Sequence, residues 1–123
     1  MKRTVLVVDD AATMRKMVSY TLNGGGYDTV EAGDGMEALD AINARLVDLI
    51  ITDINMPRMD GIEFTRQARR VLLGRPVPIL VLTTESEPEK KIQARTAGAT
   101  GWIVKPFQQE QLLAVVGRVM PKT

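Results

Sequence analysis

Four apolar runs of this 123-residue chain end at side chains that could bind a metal ion or a phosphoryl group. In chain order these side chains are Asp9 with Asp10, Asp53, Thr83 and Lys105. A strand buried on both faces is not expected to end in a charge unless the charge is used at its tip. If the runs form neighbouring parallel strands, their carboxyl ends place three carboxylates, a hydroxyl and an ammonium around one crevice. Open α/β sheets bind their ligands in that crevice.

The adjacent carboxylates Asp9 and Asp10 are ambiguous on their own. One Asp would suffice to cap a helix that begins near Ala12, whereas paired carboxylates repel each other unless a cation or a proton neutralises them. The chain contains neither His nor Cys, so any metal must be a hard ion with oxygen ligands, and Mg²⁺ is the expected one. Covalent chemistry would have to use Asp, Ser, Thr or Lys.

Asp53 could simply end a strand in a polar loop. However, Asn55, Pro57, Asp60 and Gly61 follow it and predict a structured turn. Beside Mg²⁺, an Asp carboxylate can attack phosphorus and form an acyl phosphate. The metal would neutralise charge that develops during the transfer.

Thr83 and Lys105 have the chemistry to complete such a site. A hydroxyl can donate to a phosphoryl oxygen, and an ammonium can attract it as a point charge. Each is also common elsewhere, because Thr often caps helices and Lys is usually solvated. Pro106 biases Lys105 towards an extended backbone. The clustering at four strand ends, rather than any single residue, indicates the site.

A regular alternation of elements is predicted to position these residues. Apolar patterns indicate strands near 4–8, 27–31, 48–53, 78–83 and 101–104. Helical periodicity indicates helices near 12–22, 35–45, 61–73, 87–97 and 108–119. This alternation predicts an α/β fold, a parallel sheet with helices on both faces, without giving the strand order.

Two pairs have the spacing of helix-start caps, Asp34 with Glu37 and Ser86 with Glu89. The segment 87–97 contains Ile92 as its one large apolar residue, so its helix is expected to be the most exposed. A basic cluster on the helix near 61–73 is expected to be a solvated face. Its members are Arg66, Arg69 and Arg70.

Composition places the chain among ordinary globular proteins. Hydrophobic residues make up 45% and charged residues 25%, and the length fits one domain. A net charge of +1 predicts neither a nucleic acid nor a membrane as partner. No apolar stretch is long enough to span a bilayer, and the N-terminus lacks the pattern of a signal peptide. We therefore expect a cytoplasmic protein.

Together, the motifs resemble those of response-regulator receiver domains. They are Asp9-Asp10, Asp53-Ile54-Asn55-Met56-Pro57, Asp60-Gly61, Thr83 and Lys105-Pro106-Phe107. The resemblance extends from Val5 to Val119 and is greatest to the stand-alone chemotaxis regulators of the CheY type. It implies a flavodoxin-like fold, a five-stranded parallel sheet in the order 2-1-3-4-5. It also implies a single receiver domain over residues 1–123 with no output domain.

The resemblance implies a role for each matching residue of the site. Asp53 would be the phosphoacceptor. Asp10 would be a direct Mg²⁺ ligand and Asp9 a water-linked one, with the Asn55 backbone carbonyl completing the metal site. Thr83 and Lys105 would contact the phosphoryl group, while Asn55 and Glu85 would tune its hydrolysis.

Trp102 stands where the family has a switch aromatic, often Tyr, that responds to Thr83. The indole is larger, and its N–H only donates. Trp102 could instead be a half-buried aromatic that covers a sheet edge. The resemblance implies a partner surface on helix 87–97, strand 101–104 and helix 108–119. We define the partner surface by Lys91, Arg95, Trp102, Val104, Val115 and Arg118. Pro88 stands where the chemotaxis family often has Lys, so partner contacts could differ.

The function implied is a monomeric binding switch controlled by phosphorylation, rather than an enzyme that turns over substrate. A histidine kinase of the chemotaxis type would supply the phosphoryl group, and the flagellar motor switch protein would be the partner. A phosphorelay shuttle or a phosphate sink is the alternative output. An Asp-nucleophile phosphatase of the haloacid dehalogenase type is disfavoured, because Asn55 replaces its second Asp. A flavin- or nucleotide-binding module lacks a Gly-rich phosphate loop after the first strand.

Overall fold

The computed structural model describes residues 2–120, in which five strands alternate with five helices. The strands are β1 (Thr4–Val8), β2 (Asp28–Ala32), β3 (Leu49–Thr52), β4 (Ile79–Thr83) and β5 (Gly101–Val104). The helices are α1 (Ala12–Gly24), α2 (Gly35–Ala44), α3 (Gly61–Val71), α4 (Pro88–Ala97) and α5 (Gln109–Val119). Each boundary lies within two residues of its sequence-based prediction.

The strands form one parallel sheet in the order β2-β1-β3-β4-β5, which confirms the implied topology. Side chains alternate between the faces of a strand, so Val5 and Val7 pack with α1 and α5, whereas Leu6 and Val8 pack with α2 and α3. The central strands β3 and β4 are buried along their whole length. Helices on both faces therefore explain why the central runs are apolar without alternation.

The helix starts confirm one predicted cap and correct the other. Asp34 caps α2, because its carboxylate accepts a hydrogen bond from the Glu37 backbone N–H at 2.9 Å. The predicted cap at Ser86 is wrong. Helix α4 begins at Pro88, with Glu87 at the cap position and no side-chain cap bond there. Proline suits the first helical position because its missing N–H needs no partner.

The prediction of an exposed α4 is confirmed. Ala94 and Ala97 are its buried residues, and Ile92 is 63% exposed. The prediction of a solvated arginine face is wrong for Arg69. Its guanidinium donates to the backbone carbonyls of Gly98 and Val77 and joins α3 to the end of α4.

Within residues 2–120, no helix is long and apolar enough to cross a membrane. Residues 121–123 lie outside the described residues, and the fold of residues 2–120 does not test the expectation that no output domain follows α5. That expectation stays a prediction.

Candidate functional site

Asp9, Asp53 and Lys105 meet at the carboxyl end of the sheet. The Lys105 ammonium donates to Asp9 Oδ2 at 2.7 Å and to Asp53 Oδ2 at 2.8 Å. All three side chains are largely buried, with 8% of Lys105, 5% of Asp9 and 12% of Asp53 exposed. Residues 52 to 96 positions apart in the sequence are thus joined in one charged cluster. We call these three residues, together with Asp10, the acidic pocket.

The charge of Lys105 is stabilised by its partners. Burial alone would lower the pKa of the ammonium, but the hydrogen bonds to Asp53 and Asp9 outweigh burial and raise the pKa of Lys105. Lys105 is therefore a permanent cation at neutral pH. It neutralises carboxylates that would otherwise repel each other in a partly buried site.

The three carboxylates can also converge on one metal ion. Ligand oxygens of Asp9, Asp10 and Asp53 lie within 4.8 Å of one another. Asp9 is buried and Asp10 exposed, so the cluster is open to water on one side. Mg²⁺ prefers a few carboxylates and retains several waters, and the donor set of the acidic pocket fits this ion.

Local hydrogen bonds fix Asp9. Its Oδ1 accepts from the Ala11 N–H at 2.9 Å, and its backbone carbonyl accepts from Arg15 Nη1 at 2.6 Å. The cap position of α1 is Ala11, without a side-chain cap bond. The alternative that Asp9 or Asp10 serves as the cap of α1 is therefore wrong, and the two carboxylates are left for the pocket.

Asp53 directly follows the last residue of β3. Its backbone N–H donates to the Val8 carbonyl at 3.0 Å, and its Oδ1 accepts from the Ile54 N–H at 2.6 Å. One carboxylate oxygen is thus held by the backbone, while the other faces Lys105. This arrangement fixes the orientation of the Asp53 carboxylate at the carboxyl end of the sheet.

Gly61 lets helix α3 start close to Asp53. A Cβ at Gly61 would lie 1.9 Å from the Asp53 carbonyl oxygen, closer than any real contact. The Gly61 N–H donates to the Ile54 carbonyl at 2.8 Å. The turn between β3 and α3 therefore needs a residue without a side chain at this position.

Thr83 ends the neighbouring strand β4 and is fully buried. Its hydroxyl accepts from the Glu85 N–H at 3.2 Å, and its carbonyl accepts from the Lys105 N–H at 2.8 Å. Lys105 is followed by a cis peptide bond to Pro106. Thr83 therefore lies beside the backbone of Lys105, while Glu85 and Asn55 lie in the loops that follow β4 and β3.

Trp102 belongs to β5, and its side chain packs against α4. It packs against a small core that includes Val81, Ala94 and Ala97, and the Lys91 ammonium lies 5.9 Å from its ring centroid. Its Nε1 is buried and has no hydrogen-bond partner within the described part of the chain. This geometry fits the description of a half-buried aromatic at a sheet edge, and it also leaves an indole N–H without an acceptor.

Most residues of the partner surface are exposed. Lys91, Arg95, Val104 and Arg118 are exposed, and Trp102 and Val115 are half-buried. A small pocket of about 70 Å³ lies between α4 and β5, lined in part by Lys91, Arg95 and Trp102. These residues form one basic and aromatic surface on α4 and β5.

Sequence reasoning missed several ion pairs, among them Arg15 with Glu31 and a pair that joins a loop to α2. Arg58 in the β3–α3 loop (residues 53–60) donates to Asp34 at the start of α2. Asp34 was identified as a cap, but no sequence pattern pairs it with a residue 24 positions away. Arg58 also has a φ of +66°, a conformation that sequence rules expect at Gly or Asn rather than Arg.

Comparison with known families gives a match over nearly the whole chain. The family described as "Response regulator receiver domain" matches residues 5–117. Among curated proteins, the chain is 36% identical over 120 residues to the phosphate regulon transcriptional regulatory protein PhoB of Escherichia coli, covering 98% of this chain and 52% of PhoB. It is 39% identical over 119 residues to the response regulator MprA of Mycobacterium avium, covering 97% and 51%. The chain thus spans about half the length of these curated relatives.

A solved structure matches over its full length. It is the chemotaxis protein CheY4 of Vibrio cholerae, with 47% identity and a TM-score of 0.93, covering 98% of this chain and all of that chain. The comparisons therefore include both a chemotaxis protein whose solved chain is matched throughout and transcriptional regulators that are matched over about half their length.

Proposed function

Because this chain belongs to the response regulator receiver domain family, we propose that Asp53 is its phosphoacceptor and that the acidic pocket is its phosphorylation site. Receiver domains are phosphorylation-activated switches of two-component signalling that interact with histidine kinases, rather than typical enzymes. The proposal assigns these family roles to particular residues of this chain. The observation that carries it is the contact of Lys105 with both Asp9 and Asp53.

The reacting group is Asp53 Oδ2, which faces Lys105. In the transfer, this oxygen forms a bond to phosphorus while the bond from phosphorus to the kinase histidine nitrogen breaks. The electron pair of that bond returns to the imidazole. Asp53 Oδ1 stays bound to the Ile54 N–H, so the attacking oxygen is held in one orientation.

The Asp9 and Asp10 carboxylates, together with the Asn55 carbonyl, would hold Mg²⁺ beside Asp53. The ion supplies charge neutralisation to the phosphoryl oxygens when it is bound. Lys105 is already placed to attract the phosphoryl group, and Thr83 would donate its hydroxyl to a phosphoryl oxygen. Glu85 and Asn55 would set how fast water reaches the acyl phosphate.

The switch would connect Thr83 to Trp102. When the Thr83 hydroxyl turns towards a phosphoryl oxygen, space opens that the indole can enter. The indole N–H has no acceptor among residues 2–120, and an unpaired buried donor costs free energy. A small free-energy difference between two positions of Trp102 is then enough for one charged group to shift the population.

The output proposed is binding of the flagellar motor switch through the partner surface in a monomeric cytoplasmic regulator. The full-length match to a chemotaxis protein supports this. A phosphorelay or sink role uses the same site and remains the alternative. The matches to transcriptional regulators concern about half of those proteins, and they lend no support to the expectation that nucleic acid plays no part in the output.

Phosphorylation by acetyl phosphate tests the site assignment. We expect Asp53→Asn to abolish acid-labile incorporation of phosphate, since the amide cannot form an acyl phosphate. Asp40→Asn changes an exposed carboxylate on α2 and should incorporate phosphate as the unaltered chain does. Undiminished incorporation in Asp53→Asn, mapped to another residue, would show the assignment to be wrong.

Capture of partners tests the output. The chain loaded with beryllofluoride and Mg²⁺ should retain a flagellar motor switch protein from an extract of the source cells, and the Asp53→Asn chain should not. Retention of a phosphotransfer protein alone would favour the relay or sink.

A further inference from the structure

The ion pair of Arg58 with Asp34 crosses between two elements that both border the acidic pocket. Arg58 Nε and Nη2 lie 2.9 and 2.7 Å from Asp34 Oδ2. The Asp34 side chain is 11% exposed and that of Arg58 59%. The bond is therefore partly shielded from water on the carboxylate side, where screening by salt is weaker.

Asp34 is itself fixed, so the ion pair ties the β3–α3 loop to a rigid point. Its other oxygen, Oδ1, accepts from the Glu37 N–H and caps α2. Beside this bond, Met59 packs against Gly35, where an added Cβ would lie 3.0 Å from the Met59 side chain. The loop thus meets the first turn of α2 through one ionic and one apolar contact.

At its tip the loop is held locally by one backbone hydrogen bond, from the Met59 N–H to the Pro57 carbonyl at 2.7 Å. Asn55, Pro57 and Arg58 are exposed, and Arg58 has the left-handed φ of +66°. A non-glycine residue in that conformation persists when its surroundings hold it there. The bond from its guanidinium to Asp34 is such a constraint.

We propose that the Arg58–Asp34 pair is a latch that positions the β3–α3 loop for Mg²⁺ binding beside Asp53. The inference rests on the proposed function, in which the Asn55 backbone carbonyl is a ligand. In this proposal Arg58 contacts neither the metal nor the phosphoryl group. It holds the backbone of the loop and thereby positions the Asn55 carbonyl, three residues before it. Without the latch, the loop samples more conformations. The Asn55 carbonyl must then be ordered each time Mg²⁺ binds, and this ordering lowers the affinity for the ion.

Mg²⁺ titration of three single variants tests the latch, with binding followed by calorimetry and by Trp102 emission. We expect Arg58→Ala to raise the Mg²⁺ dissociation constant about three- to fivefold, in line with a partly shielded ion pair. Arg58→Lys should recover part of the lost Mg²⁺ affinity, because lysine keeps the positive charge that pairs with Asp34. Arg66→Ala is the matched control: Arg66 pairs with Glu63 on α3, outside the loop, and its loss should leave Mg²⁺ affinity unchanged.

Asp34→Asn removes the charge of the latch while keeping a residue that caps helices well. It should weaken Mg²⁺ binding as Arg58→Ala does, and the double variant should be no weaker than either single variant, since both remove one bond. If the double variant lost as much Mg²⁺ affinity as the two single variants combined, Arg58 and Asp34 would act separately, and the latch would be wrong.

Arg58→Gly separates the ion pair from the backbone conformation. Glycine adopts a positive φ without strain but cannot bond Asp34, so we expect it to weaken Mg²⁺ binding as Arg58→Ala does. Wild-type affinity in Arg58→Gly would show that the conformation alone matters, and the latch would be wrong. Wild-type affinity in Arg58→Ala would overturn it directly.

The phosphorylation rate separates this proposal from the proposed function. In Arg58→Ala the rate with acetyl phosphate should fall at limiting Mg²⁺ and return to the wild-type rate at saturating Mg²⁺. If the unaltered chain neither binds Mg²⁺ nor accepts phosphate, the proposed function fails. If the unaltered chain does both and Arg58→Ala matches it at limiting Mg²⁺, the latch alone fails.

Discussion

The acidic pocket and helix α4 are held in very different ways. In the pocket, Lys105 bonds two carboxylates at 2.7 and 2.8 Å, and each carboxylate is also fixed by a backbone N–H. Helix α4 buries two alanines and leaves Ile92 63% exposed. The acidic pocket, which would carry out the phosphoryl transfer, is fixed by four short hydrogen bonds. Helix α4, which would transmit the signal, buries no large side chain.

This difference indicates how the two regions divide their work. A site for group transfer requires fixed geometry, because small displacements of reacting atoms cost rate. An element that must change its position on a small signal requires few buried contacts, because each would have to be broken. The molecule therefore combines a stiff pocket with a weakly held helix, which is joined to the sheet through β4 and β5.

The stiffness of the pocket is tested most severely by Gly61→Ala. The added methyl would meet the Asp53 carbonyl at 1.9 Å, and backbone on both sides has to shift. We expect the free energy of unfolding to fall by about 3 kcal/mol, the upper end for overpacking, with loss of phosphorylation in the fraction that folds. Urea unfolding measures the first effect.

Gly117→Ala is the control for that substitution. Gly117 lies on α5 with nothing within 4 Å of an added Cβ, so alanine should stabilise the helix by about 0.5 to 1 kcal/mol. Equal stabilities of the two variants would mean that the β3–α3 turn yields easily, and the pocket would not be stiff.

The metal requirement of the pocket is tested by Asp10→Ala. Asp10 is the exposed member of the three carboxylates, so its removal should not disturb folding. We expect the Mg²⁺ dissociation constant to rise about tenfold or more, which is about 1.4 kcal/mol, and phosphorylation to fall with it. Phosphorylation at full rate in excess chelator would contradict the role of the ion.

Asp34 gives the pocket region a predicted response to acid. The hydrogen bond from the Glu37 N–H, then the nearby Arg58, hold the pKa of Asp34 below its usual value of 3.8, although burial opposes them. A lowered folded-state pKa stabilises the fold above the unfolded value, and the stabilisation is lost as pH falls through the folded value. The difference in unfolding free energy between the unaltered chain and Asp34→Asn should therefore be constant down to about pH 5 and narrow below it.

Sequence patterns predicted the sheet, its helices and the pocket residues because these depend on local signals. Apolar runs that end at Asp53 or Lys105 define strand ends, and parallel strands bring such ends together. The strand order needed a family resemblance, since alternation alone does not contain it. Ser86 was wrongly predicted as a cap because Pro88 fixed the helix start instead.

Contacts made by long polar side chains could not be predicted in this way. Arg69 was expected in solvent, yet it donates to the carbonyls of Gly98 and Val77. Arg58 reaches Asp34 across 24 positions of sequence. Both contacts depend on which loops the fold brings together, and neither periodicity nor spacing carries that information.

The connection between the two regions is tested by Trp102 emission, since Trp102 is the one tryptophan of the chain. Addition of beryllofluoride with Mg²⁺ should change the emission in the unaltered chain. Thr83→Ala should accept phosphate on Asp53 but show a smaller emission change, because the hydroxyl that turns towards the phosphoryl group is missing. An equal change in both chains would mean that the indole responds to the metal or to local charge alone.

Lys105→Ala tests the same connection from the pocket side. Partner binding should become independent of phosphorylation, because the ammonium that faces Asp53 Oδ2 is the charge placed to respond to a new anion. Binding that still follows phosphorylation in this variant would show that Thr83 transmits the change without Lys105.

The smallest effect on stability is expected on α4, at Ile92→Ala. Ile92 is 63% exposed, so the free energy of unfolding should change by no more than about 0.5 kcal/mol. The equivalent truncation at Ile50, which is fully buried in β3, should cost about 2 to 5 kcal/mol. Phosphorylation of Ile92→Ala should be unchanged, because Ile92 is not in the pocket. Capture of the partner should weaken, because an exposed apolar side chain beside the partner surface is available for contact. If Ile92→Ala lowered the free energy of unfolding as much as Ile50→Ala does, α4 would be packed as tightly as the sheet. Helix α4 would then be no easier to move than the pocket.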